Sequence, residues 1–222
     1  MPTLYVADNK NHRVEAFNAD SGWHVMTIGK RGSDHGELDR PTDVAIEMLY
    51  SEDGVTNRDI ALYVCDCDNH RVEVFSANTG NYVRSIGYGK GSKPGHLNYP
   101  QAITLQDASD DREARLYVVD NFSPRVHAFN ARSGEFLQTF GEDCVITPRG
   151  LAYLQTGDKR LIYVSCTTKR MIAVFDADTY KVVREIHTGD NSIVTALNAV
   201  NTAEKPVIIY CDQSDHKIHF IH

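Results

Sequence analysis

The stretch LYVCDCDNHRVEVF runs from Leu62 to Phe75. Between Cys65 and Arg71 it holds two cysteines, two aspartates, a histidine and an arginine. In isolation that density reads as a metal or catalytic cluster. Its sisters change the reading. LYVADNKNHRVEAF begins at Leu4 and LYVVDNFSPRVHAF at Leu116. Looser copies follow, IYVSCTTKRMIAVF from Ile162 and IIYCDQSDHKIHFI from Ile208. Anchored on Asp8, Asp66, Asp120, Cys166 and Asp212, the copies are spaced by 58, 54, 46 and 46 residues. A period in that range marks a propeller, solenoid or array, so each residue must be read as part of a tile before it is read as chemistry.

The tile has a constant internal order. After the anchor come a short turn and a strand ending in Phe17, Phe75, Phe129 or Phe175. A second turn follows (NADSG, SANTG, NARSG, DADTY), then a strand such as NYVRSIG. From the anchor to the end of that strand is 21 residues in four units, Asp8 to Gly29, Asp66 to Gly87, Asp120 to Gly141 and Cys166 to His187. A fourth, shorter strand precedes each later copy: PTDVAIEM, PQAITLQ, PRGLAYL, SIVTALNAV. The strands are β-branched, aromatic-rich and bounded by Gly, Pro, Asn and Asp, and no long segment carries a helical period. The expectation is an all-β chain, a single domain over 1–222 built from four-stranded antiparallel propeller blades. The units fall at approximately 1–36, 37–95, 96–144, 145–190 and 191–222. The first unit lacks its leading strand and the last ends after its third, so about four and a half to five blades are present. Both ends would expose strand edges, which soluble proteins avoid. A larger ring, or a partner strand, is expected to complete them.

Bulk properties narrow the partners. The chain of 222 residues is 41% apolar with a net charge of −7, which disfavours non-specific nucleic-acid binding by the whole domain. No apolar run reaches the about 20 residues needed to span a bilayer. The opening MPTLYVADNK carries no basic and apolar leader, and the five cysteines follow no disulfide scaffold, so an intracellular, cytoplasmic setting is expected.

The pattern P-x-x-(V/I/L)-A followed by (L/I)-Y-V-x-D-x-x-N-H-R-V-x-x-F resembles the NHL repeat of NHL-type β-propellers. The runs Asn11–Glu15 and Asn69–Glu73 are its most specific part. The loops Gly29–Pro41 and Gly87–Pro100 also resemble the Gly-rich connections of that family. Cys166 and Met171 depart from the pattern, standing where Asp and Arg are usual. The resemblance implies a propeller commonly of six blades, of which this chain would form part. It implies a function as a protein-interaction platform, as a single-stranded RNA reader in TRIM-NHL-type ubiquitin-ligase relatives, or, in one branch, as a metal-dependent amidating lyase.

Asp8/Arg13, Asp66/Arg71, Asp120/Arg125 and Asp212/Lys217 are each five residues apart across a turn. Cys166 and Met171 lose both charges together, which points to structural contact rather than catalysis. Cys65 aligns with Ala7, Val119, Ser165 and Cys211, the profile of a packed slot. Cys65 and Cys67 lack the second ligand pair of a zinc site, and Cys144, in a loop, reads as an exposed thiol. His12, His70 and His216 share one repeat position and would ring a metal only if brought together; Pro124 and Arg170 fill it elsewhere. His35 and His96 sit in the Gly-rich loops. The loop Gly87–Gly95 precedes a strand rather than a helix, which excludes a phosphate-binding P-loop. Lys30, Arg31, Arg40, Lys90, Lys93 and Tyr99 form a basic and aromatic cluster on one face, diluted by Asp34, Glu37 and Asp39. That cluster is the candidate partner site, by protein contact or by stacking and phosphate contacts with single-stranded RNA. The acidic inserts within Met48–Ala61 and Gln106–Ala114 are further candidate contact loops. The chain is expected to act as a non-enzymatic scaffold without cofactor or bound metal, a metal-dependent lyase or hydrolase being the enzymatic alternative.

Overall fold

The structure is a computed structural model that describes residues 2–49, 59–107, 113–202 and 205–221. Most of the two acidic inserts, residues 50–58 and 108–112, lies outside the described residues. The chain forms five antiparallel sheets whose strand order follows the sequence. The first holds β1 (Thr3–Asp8), β2 (Arg13–Asn18) and β3 (His24–Ile28). The second holds β4 (Pro41–Leu49), β5 (Asp59–Asp66), β6 (Arg71–Ser76) and β7 (Tyr82–Ile86). The third holds β8 (Pro100–Gln106), β9 (Arg115–Asp120), β10 (Arg125–Asn130) and β11 (Phe136–Phe140). The fourth holds β12 (Pro148–Thr156), β13 (Lys159–Cys166), β14 (Met171–Asp176) and β15 (Val182–His187). The fifth holds β16 (Val194–Asn201), β17 (Pro206–Asp212) and β18 (Lys217–Ile221). No described helix is long and apolar enough to cross a membrane.

Turn chemistry fixes the strand register. Asn18, Asn130 and Asp176 end their strands, and each Oδ1 accepts the backbone amides two and three residues on, the Asx-turn geometry. Gly22 and Gly134 close two of these turns at φ of 72° and 76°, and Gly80 closes the matching turn after Ser76 at 73°, a region that glycine enters without cost. Tyr180 adopts the same conformation, φ 57°, without being glycine. One expectation is corrected here. The leading strands are not shorter than the others: β4 and β12 have 9 residues, against 5 in β3, β7 and β11. Their pairing with the next strand runs past the recognisable motif, as far as Leu49↔Asp59 in the second sheet.

Alternation gives each sheet two faces. Leu62, Val64 and Phe75 meet Val14 and Ile28 of the preceding sheet and Leu38 of the connecting loop in one core. On the opposite face Tyr63, Cys65, Val72 and Val74 meet Leu116, Val118 and Phe129 of the next. Val119, Val126 and Ala128 meet Ile162, Val164 and Phe175 in the same way, and Tyr163, Ile172 and Val174 meet Ile208 and Tyr210. The hydrophobic core is thus divided among the four joints between successive sheets. The leading strands pack in succession, β4 on β8, β8 on β12 and β12 on β16, and β1, the innermost strand of the first sheet, packs on β4. Among the described residues no comparable packing joins β16–β18 to β1–β3. These five radially packed sheets are blades of a β-propeller.

Candidate functional site: the loop face and axial cavity

The repeated Asp and Arg residues clamp the loop that arrives from the blade before. Asp66 Oδ1 accepts the Asp39 amide at 2.6 Å, while its Oδ2 takes Arg71 Nε and Asn69 Nδ2, both at 2.8 Å. Arg71 Nη2 then donates to the carbonyls of Asp34 and Glu37 at 2.8 and 3.0 Å. In the third blade Asp120 Oδ1 accepts the Asn98 amide at 3.0 Å, and Arg125 donates to the carbonyls of Ser92, Lys93 and His96. Arg125 stands 3.8 Å from Asp120, so the carbonyls are its main partners. Asp212 accepts the Ile193 amide at 2.9 Å, but Lys217, opposite it in register, makes no ion pair with it. Asp8 holds Asn11 Nδ2 and Arg13 Nε, with no loop to clamp. Cys166 and Met171 are buried in the joint between the third and fourth blades and replace the clamp with apolar contact. Under the clamped loops, Gly29 and Gly87 turn at φ 78° and 103° over the buried Leu38 and Leu97, where a Cβ would strike the leucine side chains.

The histidines of the motif serve the same loops. His12 and His70 sit at φ 58° and 57°, and each Nδ1 accepts the amide of the residue before the next proline, Arg40 or Tyr99, at 3.2 Å. Burial lowers the pKa of His70, helped by Lys90. With His216 they are not gathered around a common point. The described residues contain one close trio of possible ligands, Asp212, Asp215 and His219. Asp212 is already occupied by Ile193 and Ser214, and His219 lies 2.8 Å from Asp215.

Among the thiols, burial drives Cys65 well above its usual pKa and Cys67 to about 12. Cys67 Sγ accepts a hydrogen bond from Gln101. The exposed thiol expected at Cys144 is corrected: it is half-buried, packs against the core of the third joint, and has its pKa raised by that burial.

The predicted basic cluster is only partly free. Lys30 pairs with Glu37 at 3.2 Å and Arg40 with Asp68 at 3.3 Å. Arg31 bridges to Leu38 along the backbone, and Lys93 lends its carbonyl to Arg125. Lys90 and Tyr99 do come together, with Nζ 5.3 Å from the ring centroid. The Tyr99 ring lies 4.6 Å from that of Phe122, a strongly exposed aromatic, and 4.5 Å from His70. Phe122 was not singled out by the sequence, although it replaces polar turn residues of the sister units. Its backbone N–H donates a hydrogen bond to the Asn98 carbonyl at 3.1 Å. His35 stacks on Tyr82 and His96 packs edge-on to Tyr88, outside this patch.

At the axis lies a polar cavity of about 260 Å³ to which all five blades contribute, through Asn9, Thr42, Gln101, Arg149 and Thr195. Asp43 also lines it. Its carboxylate accepts the amides of Val44 and Ile103, each at 2.9 Å, and burial pushes its pKa up to about 6. Arg149 is exposed to the cavity, and no described residue pairs with its guanidinium. None of the described lining residues is a histidine or cysteine. Sequence reasoning missed this ring, although three of its members, Thr42, Gln101 and Arg149, follow the proline of PTD, PQA and PRG at one fixed offset.

The fold and this face define the class of the molecule, a five-bladed β-propeller. No known family profile matches the chain. It is similar to peptidyl-glycine alpha-amidating monooxygenase B of Xenopus laevis, 29% identical over 169 residues, which covers 69% of this chain and 18% of that protein. The A form from the same organism is 26% identical over 169 residues, covering 69% of this chain and 16% of that protein. The chain thus spans less than a fifth of these relatives. In shape it is similar to hydrazine synthase of Kuenenia stuttgartiensis, with a TM-score of 0.63 and 16% identity over 94% of this chain and 52% of that one. A catalytically inactive virginiamycin B lyase from Staphylococcus aureus, solved with quinupristin, gives a TM-score of 0.65 at 14% identity over 99% of this chain and 63% of that one. At such identities the structural likeness bears on the fold alone.

Proposed function

We propose that this chain is a non-enzymatic, NHL-type scaffold that binds a protein partner through its loop face. One observation carries the reading. The groups that would suit chemistry there are spent on holding loops: Asp66, Asp120, Arg71, Arg125, His12 and His70 all bind backbone groups. What the clamped loop and the adjoining β9–β10 turn present outward is an aromatic and cationic patch, Tyr99, Phe122 and Lys90. Aromatic side chains fixed in this way bury much area at low entropic cost, the profile of interface anchors.

The test is paired. Phe122→Ala and Lys90→Ala are combined in one variant, and Val183→Ser, on an outer strand, is the control. Proteins captured by the wild type and the control but lost with the double variant support the scaffold reading. Capture unchanged by the double variant sinks it. Tight, salt-sensitive binding of a single-stranded RNA oligonucleotide, lost with the same variant, would transfer the site to RNA. An enzymatic reading is favoured by the sequence likeness to an amidating enzyme. It requires stoichiometric zinc or calcium by elemental analysis after equilibration and dialysis.

A further inference from the structure

One position of the repeat lines the axial cavity in four blades. Thr42, Gln101, Arg149 and Thr195 each stand second in their strands, β4, β8, β12 and β16, at the ends where the incoming loops arrive. The neutral members of the ring direct their donors to protein atoms. Asn9 Nδ2 donates to the Pro41 carbonyl, Thr42 Oγ1 to the Pro100 carbonyl, Gln101 Nε2 to Cys67 Sγ and Thr195 Oγ1 to the Cys211 carbonyl. What they leave open are acceptors, foremost Asn9 Oδ1 and Gln101 Oε1. Arg149 differs. Its backbone amide donates to Ser165 Oγ, but no described residue pairs with its exposed guanidinium. Elsewhere on this face Arg71 and Arg125 are engaged by loop carbonyls and Arg40 by Asp68. Asp43, the acid of the cavity, gives its two oxygens to wall amides, those of Val44 and Ile103.

We propose that the axial cavity seats an acidic side chain, an aspartate or glutamate carried by the protein partner of the loop face. The inference rests on the scaffold reading above and names that partner's anchor. A guanidinium holds a carboxylate through two parallel N–H···O bonds, and the acceptors beside it suit the backbone N–H of the same residue. Size and polarity separate a side chain from a free ligand. Pockets that enclose whole small molecules run to about 300–1,000 Å³ and are mostly apolar. This one is about 260 Å³ and ringed by polar groups. Continuity with the patch is the second argument. Gln101 lies two residues from Tyr99, about 7 Å of extended chain, and Tyr99 meets Phe122 and Lys90. A partner segment lying across these rings brings its next acidic residue over the mouth of the cavity. Lys90 and Arg149 give patch and cavity the same sign, and like charge at Asp43 keeps the anchor on the Arg149 side.

The test begins with random peptides displayed on phage and selected on the intact chain. The selected peptides should share an aspartate or glutamate, and replacing it by asparagine or glutamine should weaken binding by about 10- to 100-fold. In Arg149→Met, whose melting temperature should equal that of the wild type, the same replacement should change nothing. Arg149→Lys should recover part of the loss, since it keeps the charge without the fork. Peptides bound equally by the wild type and Arg149→Met overturn the inference. If Phe122→Ala with Lys90→Ala still abolishes their binding, the scaffold reading survives; if it does not, both fall. A second measurement decides where no peptide is selected. The NMR signal of Arg149 Nε–Hε should shift saturably with glutamate blocked as its N-acetyl methylamide, and not with glutamine blocked in the same way. No shift overturns the inference. An equal shift with acetate alone also overturns it and assigns the cavity to free carboxylate ions.

Discussion

Arg13 and Arg125 occupy one repeat position and live in different surroundings. Arg125 lies under a loop, 7% exposed, and satisfies three carbonyls. Arg13 sits at an open face, 41% exposed, beside Asp8 and Glu15. The same side chain is a bolt in one blade and a surface group in the other. The difference is made by what the neighbouring blade contributes, not by the residue itself.

The sharpest way to break this comparison is at the apolar positions. Phe129→Ala, at an inner joint, should cost about 3–5 kcal/mol, and Phe220→Ala, at the open face, less than about 0.5 kcal/mol, both by denaturant unfolding. Equal costs would mean that the open face is already covered. At the clamp, Arg125→Ala strands buried carbonyls and should cost about 2–3 kcal/mol, whereas Arg13→Ala should stay below about 1 kcal/mol. A smaller effect separates the third blade from its neighbours by pH. His127 stands where the first two blades have Glu15 and Glu73, and burial lowers its pKa below the usual 6.5. A buried imidazole with a depressed pKa contributes stability above pH 6.5 that is lost as pH falls through its folded value. His127→Gln should therefore flatten the decline in melting temperature on acidification below neutrality; an unchanged slope would remove His127 as its cause. The smallest effect concerns labelling rather than stability. Cys211 should react with a thiol reagent in the native chain, and the buried Cys65 and Cys166 only after unfolding.

Much of the fold was legible because the tile recurs. The anchor positions, the 21-residue constant core and the Asx-Gly turns all repeat, and each has one physical solution. The joint loss of charge at Cys166 and Met171 pointed to contact, and both side chains are buried in one apolar joint. The site was less legible. Net positive charge in a loop does not reveal that Lys30 and Arg40 are neutralised by Glu37 and Asp68, because those pairings depend on loop closure. Phe122 and Arg149 are single departures from the repeat, and a pattern shared by units has no weight at positions where one unit differs. Cys144 belongs to the same class: its loop turns inward at Gly141, and only the three-dimensional path puts the thiol against the core.

The inner strands are also linked hand to hand. Asn9 donates to the Pro41 carbonyl, Thr42 to the Pro100 carbonyl, and Asp43 accepts the Ile103 amide. Such a chain of links behaves as a hoop only when its ends meet. In a closed ring, outward load is shared as tension by every link. In an arc it is bending, greatest at the middle and zero at the tips. The terminal blades therefore carry little of the load, and the third blade, midway along the arc, bears most of it.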